Sequence, residues 1–171
     1  PSIRGRWWNT TAQTTAGSAT HGTGVALSTA SIIEEYQFPF ATLLDIATSA
    51  TTPSGVYLSV QSIEYKASDT ANAAICINRD NVTIDLNNQI LYCNSGVTAT
   101  VHGIQVKAGV NNITIKDGTI SGFTGDGISI EGTSGSIVTN IKLENVKLIS
   151  NRNGIAGTYV HNATLKNIIV S

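Results

Sequence analysis

Charge is scarce in this 171-residue sequence, with Asp, Glu, Lys and Arg together making up 12%, about half of the usual roughly 25%. The formal net charge is -1, and beyond Arg4 and Arg6 no basic residues cluster, so there is no electrostatic footprint for nucleic acid or an anionic membrane. Two cysteines, Cys76 and Cys93, are too few for a disulfide scaffold and lack the paired spacing of a zinc site. No apolar stretch approaches the roughly 20 residues needed to cross a bilayer, and no charged, apolar and small-residue succession resembles a secretory leader. The sequence begins with Pro1 rather than Met, which leaves targeting information upstream open.

What remains is a neutral polar chain in which Thr, Asn, Ser and Gly fill the polar positions. Such a surface suits exported or assembled proteins, so an extracellular, cell-surface or virion location is the expectation. With 41% apolar residues the chain has the length for one domain with a continuous core.

Two motifs recur through the second half. Asn81-Val-Thr-Ile84, Asn112-Ile-Thr-Ile115, Asn140-Ile-Lys-Leu143 and Asn162-Ala-Thr-Leu165 follow one another at spacings of 31, 28 and 22 residues. Interleaved with them, a small residue precedes apolar alternation in Ala74-Ile-Cys-Ile77, Gly103-Ile-Gln-Val106, Gly127-Ile-Ser-Ile130 and Gly154-Ile-Ala-Gly157. Two interleaved repeats of similar period predict stacked rungs.

Successive residues of a strand face opposite sides, so the alternation assigns the interior. In the Asn motif the inward columns are Val82, Ile113, Ile141 and Ala163, then Ile84, Ile115, Leu143 and Leu165. Asp117, Asn145 and Asn167 lie five residues after the motif Asn, with Asn87 one position later in the first coil. Asn and Asp tolerate left-handed backbone, so this column is expected to turn each coil at one corner. Apolar residues resume at Ile90, Ile120, Leu148 and Val170 to form another sheet. Strands that recur in one direction are parallel, and each coil holds about three of them. The predicted fold is all-β: a right-handed parallel β-helix, or three-sided β-solenoid, of about four to five coils. Four complete coils at rung spacings of about 4.8 Å stand about 20 Å tall, just above the minimum of three repeats.

The N-terminal part reads differently. Residues 1–30 combine the basic aromatic head Arg4-Gly-Arg-Trp-Trp8 with a Thr, Ala, Ser and Gly run, and form an irregular, extended arm. Residues 31–53 are expected to cap the open end, with Ser31 and Glu34 at capping-box spacing opening a short helix that Pro39 limits. The solenoid is placed at 54–171, entered through the turn Pro53-Ser-Gly.

Gly-Val-Tyr-Leu at 55–58, Asn-Val-Thr-Ile-Asp-Leu at 81–86 and Asn-Ile-Thr-Ile-Lys-Asp-Gly-Thr-Ile-Ser-Gly-Phe at 112–123 resemble right-handed parallel β-helix proteins of the pectin-lyase-like superfamily. The resemblance covers roughly residues 54–171. Members include pectate lyases, polygalacturonases, phage tailspikes, adhesins and repeat proteins without known activity, so the resemblance implies a fold and leaves the activity to the site.

The enzymatic comparison that bears most on residues is with polygalacturonases, whose Asn-Thr-Asp-Gly-Ile-Asp-Ile pattern is similar to Thr124-Gly-Asp-Gly-Ile-Ser-Ile130. Asp126 falls at that family's first catalytic Asp, but where the family carries a pair of aspartates one coil later this sequence has Arg152-Asn-Gly-Ile155. Inverting hydrolysis needs one carboxyl acid and one carboxylate base, and Arg and Asn serve as neither. Asp126 is expected to be a turn residue before Gly127.

A calcium-dependent lyase needs several carboxylates converging on one sheet. The outward columns of the Gly motif, Cys76, Gln105, Ser129 and Ala156, then Asn78, Lys107, Glu131 and Thr158, hold one acid among eight. Those of the Asn motif are Thr83, Thr114, Lys142 and Thr164, then Asp85, Lys116, Glu144 and Lys166, and the last column alternates in charge. It reads as a register device rather than a metal site. The Thr column, broken by Lys142, reads as β-propensity rather than ice binding. His21, His102 and His161 have no ligand spacing and read as turn residues. No catalytic, metal or cofactor-binding residue is therefore assigned. Trp7 and Trp8, beside two arginines, are the candidate partner or glycan contact, with packing against the first coil as the alternative.

The leading expectation is a non-catalytic structural or surface solenoid, such as a fibre, adhesin or virion component. Its partners would be copies of itself or another structural protein, because a terminal rung without a polar cap needs a covering surface. The alternatives are a polysaccharide-acting lyase or hydrolase fragment, and a glycan-binding module on the long side of the helix using Gln105, Ser129 and Thr114.

Overall fold

The computed structural model describes residues 37–47 and 54–171. The expected arm at 1–30, the short helix from Ser31 and the aromatic pair Trp7 and Trp8 lie outside the described residues.

The described residues contain no helix and fold as a parallel β-solenoid of about four turns. Among the described residues fourteen strands make three faces. The first is built from β1 (Gln37–Phe40), β3 (Gly55–Ser59), β6 (Val82–Asp85), β9 (Asn111–Ser121), β11 (Val138–Ile149) and β13 (Val160–Lys166). The second joins β4 (Ile63–Tyr65) and β7 (Ile90–Cys93) to the C-terminal halves of β9 and β11 and to β14 (Ile169–Val170). The third orders β2 (Leu44–Ile46), β5 (Ala73–Ile77), β8 (His102–Val106), β10 (Asp126–Glu131) and β12 (Asn153–Thr158). All of these pairings are parallel.

The coil starts earlier than the turn at residues 53–55 suggests, since β1 pairs with β3 and β2 with β5. Pro39 sits within β1, which is the edge of its sheet among the described residues, a place where a missing N–H need not cost the ladder a bond. Part of the segment read as a cap thus supplies strands to two faces.

The register matches the repeat. Val82, Ile113, Ile141 and Ala163 stack, as do Ile84, Ile115, Leu143 and Leu165. The first three of each column are buried. Tyr65 and Phe123 are the bulkiest of the fully buried side chains, and the Asp69 and Ala71 carbonyls both lie within reach of the Tyr65 hydroxyl, so its one hydrogen has an acceptor. At the last rung the inward residues lose their cover: Leu165 is 53% exposed and Val170 59%.

The corners show why Asn dominates the polar positions. Asn81, Asn112, Asn140 and Asn162 enter the first face with φ between 56° and 61°, and Asp117, Asn145 and Asn167 leave it with φ between 53° and 56°. Asn side chains tolerate this left-handed backbone. They also bond to one another between rungs: Asn112 donates to Asn81 at 2.8 Å, Asn162 to Asn140 at 3.3 Å, Asn145 to Asp117 at 2.8 Å and Asn167 to Asn145 at 2.9 Å. Asn140 donates to Asn111 at 2.9 Å, one residue off the column.

Apolar residues resume at Ile90, which opens β7 in the second face as expected, but the residue stacked on Ile120 and Leu148 is Leu91, and Ile90 is 44% exposed. The first coil turns through two left-handed residues, Asn87 (φ 50°) and Asn88 (φ 60°), and the longer corner displaces the strand that follows.

Candidate functional site

The small residues that open the Gly motif determine how close the second and third faces come. A Cβ on Gly103 would lie 2.5 Å from Ile120 Cγ2 and 2.5 Å from the Gly127 carbonyl; one on Gly127 would lie 2.9 Å from Leu148 Cδ2 and 2.8 Å from the Gly154 carbonyl. The residue just before each small one sits at this tight corner, and the register stacks Ala73 on His102, and Asp126 on Asn153, one coil apart. With Ile104 paired to Ile128, His102 and Asp126 occupy equivalent places in adjacent rungs.

There the side chains meet. The Asp126 main-chain N–H donates to His102 Nδ1 at 3.0 Å, Asp126 Oδ2 lies 3.3 Å from the same nitrogen, and Asn153 Nδ2 donates to Asp126 Oδ1 at 2.6 Å. Asp126 is buried. Asp126 therefore links three rungs, and the residue that stacks on it is an amide rather than a second carboxylate. Retaining and inverting hydrolysis both require that second carboxyl group, so this corner lacks the acid–base pair. The His102 contact has no ligand spacing behind it, but its signal is in the sequence: His102, Asp126 and Asn153 each directly precede the Gly of the motif.

Along the outward side of the third face, Cys76, Gln105, Ser129 and Ala156 stack as expected. Gln105 Nε2 donates to Glu131 Oε1 at 2.6 Å, Lys107 Nζ pairs with Glu131 Oε2 at 3.1 Å, and the Cys76 thiol donates to Gln105 Oε1 at 3.9 Å. Burial pushes the Cys76 thiol up, and Asp45 adds to the shift, so it is a poor source of thiolate. Cys93 is raised as well, chiefly by burial. Beside this strip lies a depression of about 340 Å³, lined by Leu43, Asp45, Asn72, Cys76 and Gln105 among others.

The alternating charged column on the first face is also present. Lys116 Nζ lies 2.8 Å from Asp85 Oδ2 and 3.5 Å from Asp117 Oδ2, and Lys166 reaches Glu144 at 3.8 Å. The shortest contact of Glu144 runs within its own strand, to Lys142 at 2.8 Å. The hydrogen bond to Asp85 raises the Lys116 ammonium above its usual range, and the Lys142 hydrogen bond lowers the Glu144 carboxyl. Among the described residues no group of three His, Cys, Asp or Glu side chains is placed to hold a metal ion, and no helix is long and apolar enough to cross a membrane.

No family model, curated protein or solved structure matches this chain.

Proposed function

We propose that the chain is a non-catalytic structural or surface solenoid, an element of a fibre, adhesin or virion, of the right-handed parallel β-helix type that the pectin-lyase-like superfamily resemblance implies. The observation that carries the reading is how the polar side chains are engaged. Asparagines bond to asparagines of the neighbouring rung, Lys116 pairs with Asp85, and Asp126 is held by His102 and Asn153. Side chains fixed to each other across rungs specify register, whereas a catalytic centre needs acids and bases with atoms directed at a substrate.

Assembly belongs to this reading. An extracellular, cell-surface or virion setting follows from the sparse charge and is part of the proposal. Sedimentation velocity of the purified chain at several concentrations tests it: a discrete oligomer or growing polymer is expected, and a monomer at every concentration overturns the assembly reading.

A glycan-binding module is the second reading. It is favoured by the depression beside Gln105, which is open, mixed in polarity and of the size that small-molecule sites occupy. Retention on immobilised polysaccharide without release of products supports it, and loss of that retention in Gln105→Ala would place it there.

A further inference from the structure

We propose that His102 is a proton-operated latch between successive rungs. In the neutral ring Nδ1 accepts the main-chain N–H of Asp126, and on protonation this bond is exchanged for one to the Asp126 carboxylate. The geometry fixes the starting state. An N–H aimed at Nδ1 from 3.0 Å requires a lone pair there, so the hydrogen of the neutral imidazole is on Nε2. Protonation puts a second donor on Nδ1, facing the N–H it had accepted, while Asp126 Oδ2 stands 3.3 Å away. The ring then has a donor to lose and a carboxylate to gain on the same residue.

The surroundings channel the exchange. Gly125 lies against the ring, since a Cβ there would sit 3.0 Å from Nδ1 and 3.1 Å from Cε1. From β5 below, Ala73 stacks on His102 and the Asn72 carbonyl accepts the His102 main-chain N–H at 2.9 Å. These are uncharged, as are Thr124 and Gly125 in the turn before β10. From β10 the facing ionisable group is Asp126 itself, and from β12 Asn153 is neutral. Arg152 is the charged residue of the adjoining turn; its main-chain N–H reaches the Phe123 and Gly125 carbonyls. Asn153 holds Asp126 Oδ1 at 2.6 Å, so the carboxylate stays in place while the ring moves toward Oδ2. The Asp126 N–H is left without its acceptor.

The test is an NMR pH titration of the full chain, following the His102 ring and the hydrogen exchange of the Asp126 amide corrected for its intrinsic pH dependence. The expected result is a loss of Asp126 protection of about tenfold, as for a local opening, with the same midpoint as the His102 ring. The amides of Ser129 and Ile130, in the ladder beyond, should stay protected. His102→Asn keeps a carbonyl oxygen as acceptor but does not titrate, and should abolish the step while retaining protection at neutral pH. The proposal is overturned by an Asp126 amide that stays protected while the ring titrates, by a ring that stays neutral until the fold is lost, or by persistence of the step in His102→Asn. The wild-type titration decides the matter even where that variant does not fold, with the His161 ring as internal reference.

Discussion

Replacing Gly103 by alanine sets a methyl group 2.5 Å from the Gly127 carbonyl and 2.5 Å from Ile120 Cγ2, with Phe123 Cδ2 at 3.2 Å. Carbon atoms in good contact are about 3.5–4.0 Å apart, so two neighbours must each retreat by roughly 1 Å or more. One of them is the main chain of the next rung, which is tied into the parallel ladder on both sides and cannot yield by turning a side chain. Overpacking of this kind costs about 1–3 kcal/mol, and the backbone obstacle puts Gly103→Ala at the upper end. With an m-value of roughly 2 kcal/mol/M in urea, the unfolding midpoint should fall by about 1 M or more. Two companions calibrate the measurement. At Gly154 the obstacle is the side chain of Val170, at 2.6 Å, in the exposed last rung, so Gly154→Ala should cost less. At Gly135 nothing lies within 4 Å, and alanine should be neutral or stabilise by up to about 1 kcal/mol through the unfolded chain. The order Gly103, Gly154, Gly135 in decreasing cost is the expected result of equilibrium urea unfolding. Equal midpoints for Gly103→Ala and wild type would refute the close packing of the two faces.

Asn145→Ala removes a residue at φ 53° and two rung-to-rung bonds, to Asp117 and from Asn167; urea unfolding should show a loss of about 1–3 kcal/mol, with Asn145→Gly milder because glycine accepts the left-handed backbone. Ile115→Ala, in the buried column, should cost about 2–5 kcal/mol, whereas Leu165→Ala in the same column should cost far less because it is 53% exposed; equal losses would contradict the exposure of the last rung. Glu144 titrates below its usual range because of Lys142, so its stabilising effect is present above the unfolded carboxyl pKa and is lost as pH falls through the lower folded value; Lys142→Ala should move the Glu144 titration back up in an NMR pH series and flatten that part of the acid limb. Lys116 has the opposite sign, its pKa being raised by Asp85, so its contribution is present below the unfolded lysine pKa and disappears as pH rises through the higher folded value. The Cys76 thiol, pushed up by burial, should react with a disulfide reagent more slowly than a free thiol at neutral pH, and a fast reaction would contradict its environment.

The parts of this fold that could be read in the sequence are those where local chemistry and global position agree. The inward columns follow from alternation alone, and the corners from asparagine's tolerance of left-handed backbone, so Ile113 on Ile141 and Asn145 on Asp117 were legible before any coordinate. Leu91 was not, because two consecutive asparagines in one corner lengthen that coil and no periodicity signals which of them turns the chain. That strands of the solenoid already run through residues 37–46 was hidden by Pro39, whose tolerance depends on β1 being an edge strand among the described residues. At the candidate site the stacked charge of Asp85 and Lys116 was visible as alternation. The meeting of His102 with Asp126 was not legible, because it depends on a one-coil relation between unlike residues and not on ligand spacing among the histidines. Trp7 and Trp8, the proposed contact residues, lie outside the described residues.

The central claim is that successive coils stack in parallel with one register carried by the outward columns. The most direct measurement is an NMR survey of contacts between main-chain protons of neighbouring strands along Thr83, Thr114, Lys142 and Thr164. A continuous parallel series through all four, with Asp85, Lys116, Glu144 and Lys166 in step beside it, is predicted. An antiparallel pattern, or a register displaced by one residue that turns the Thr column inward, would contradict it.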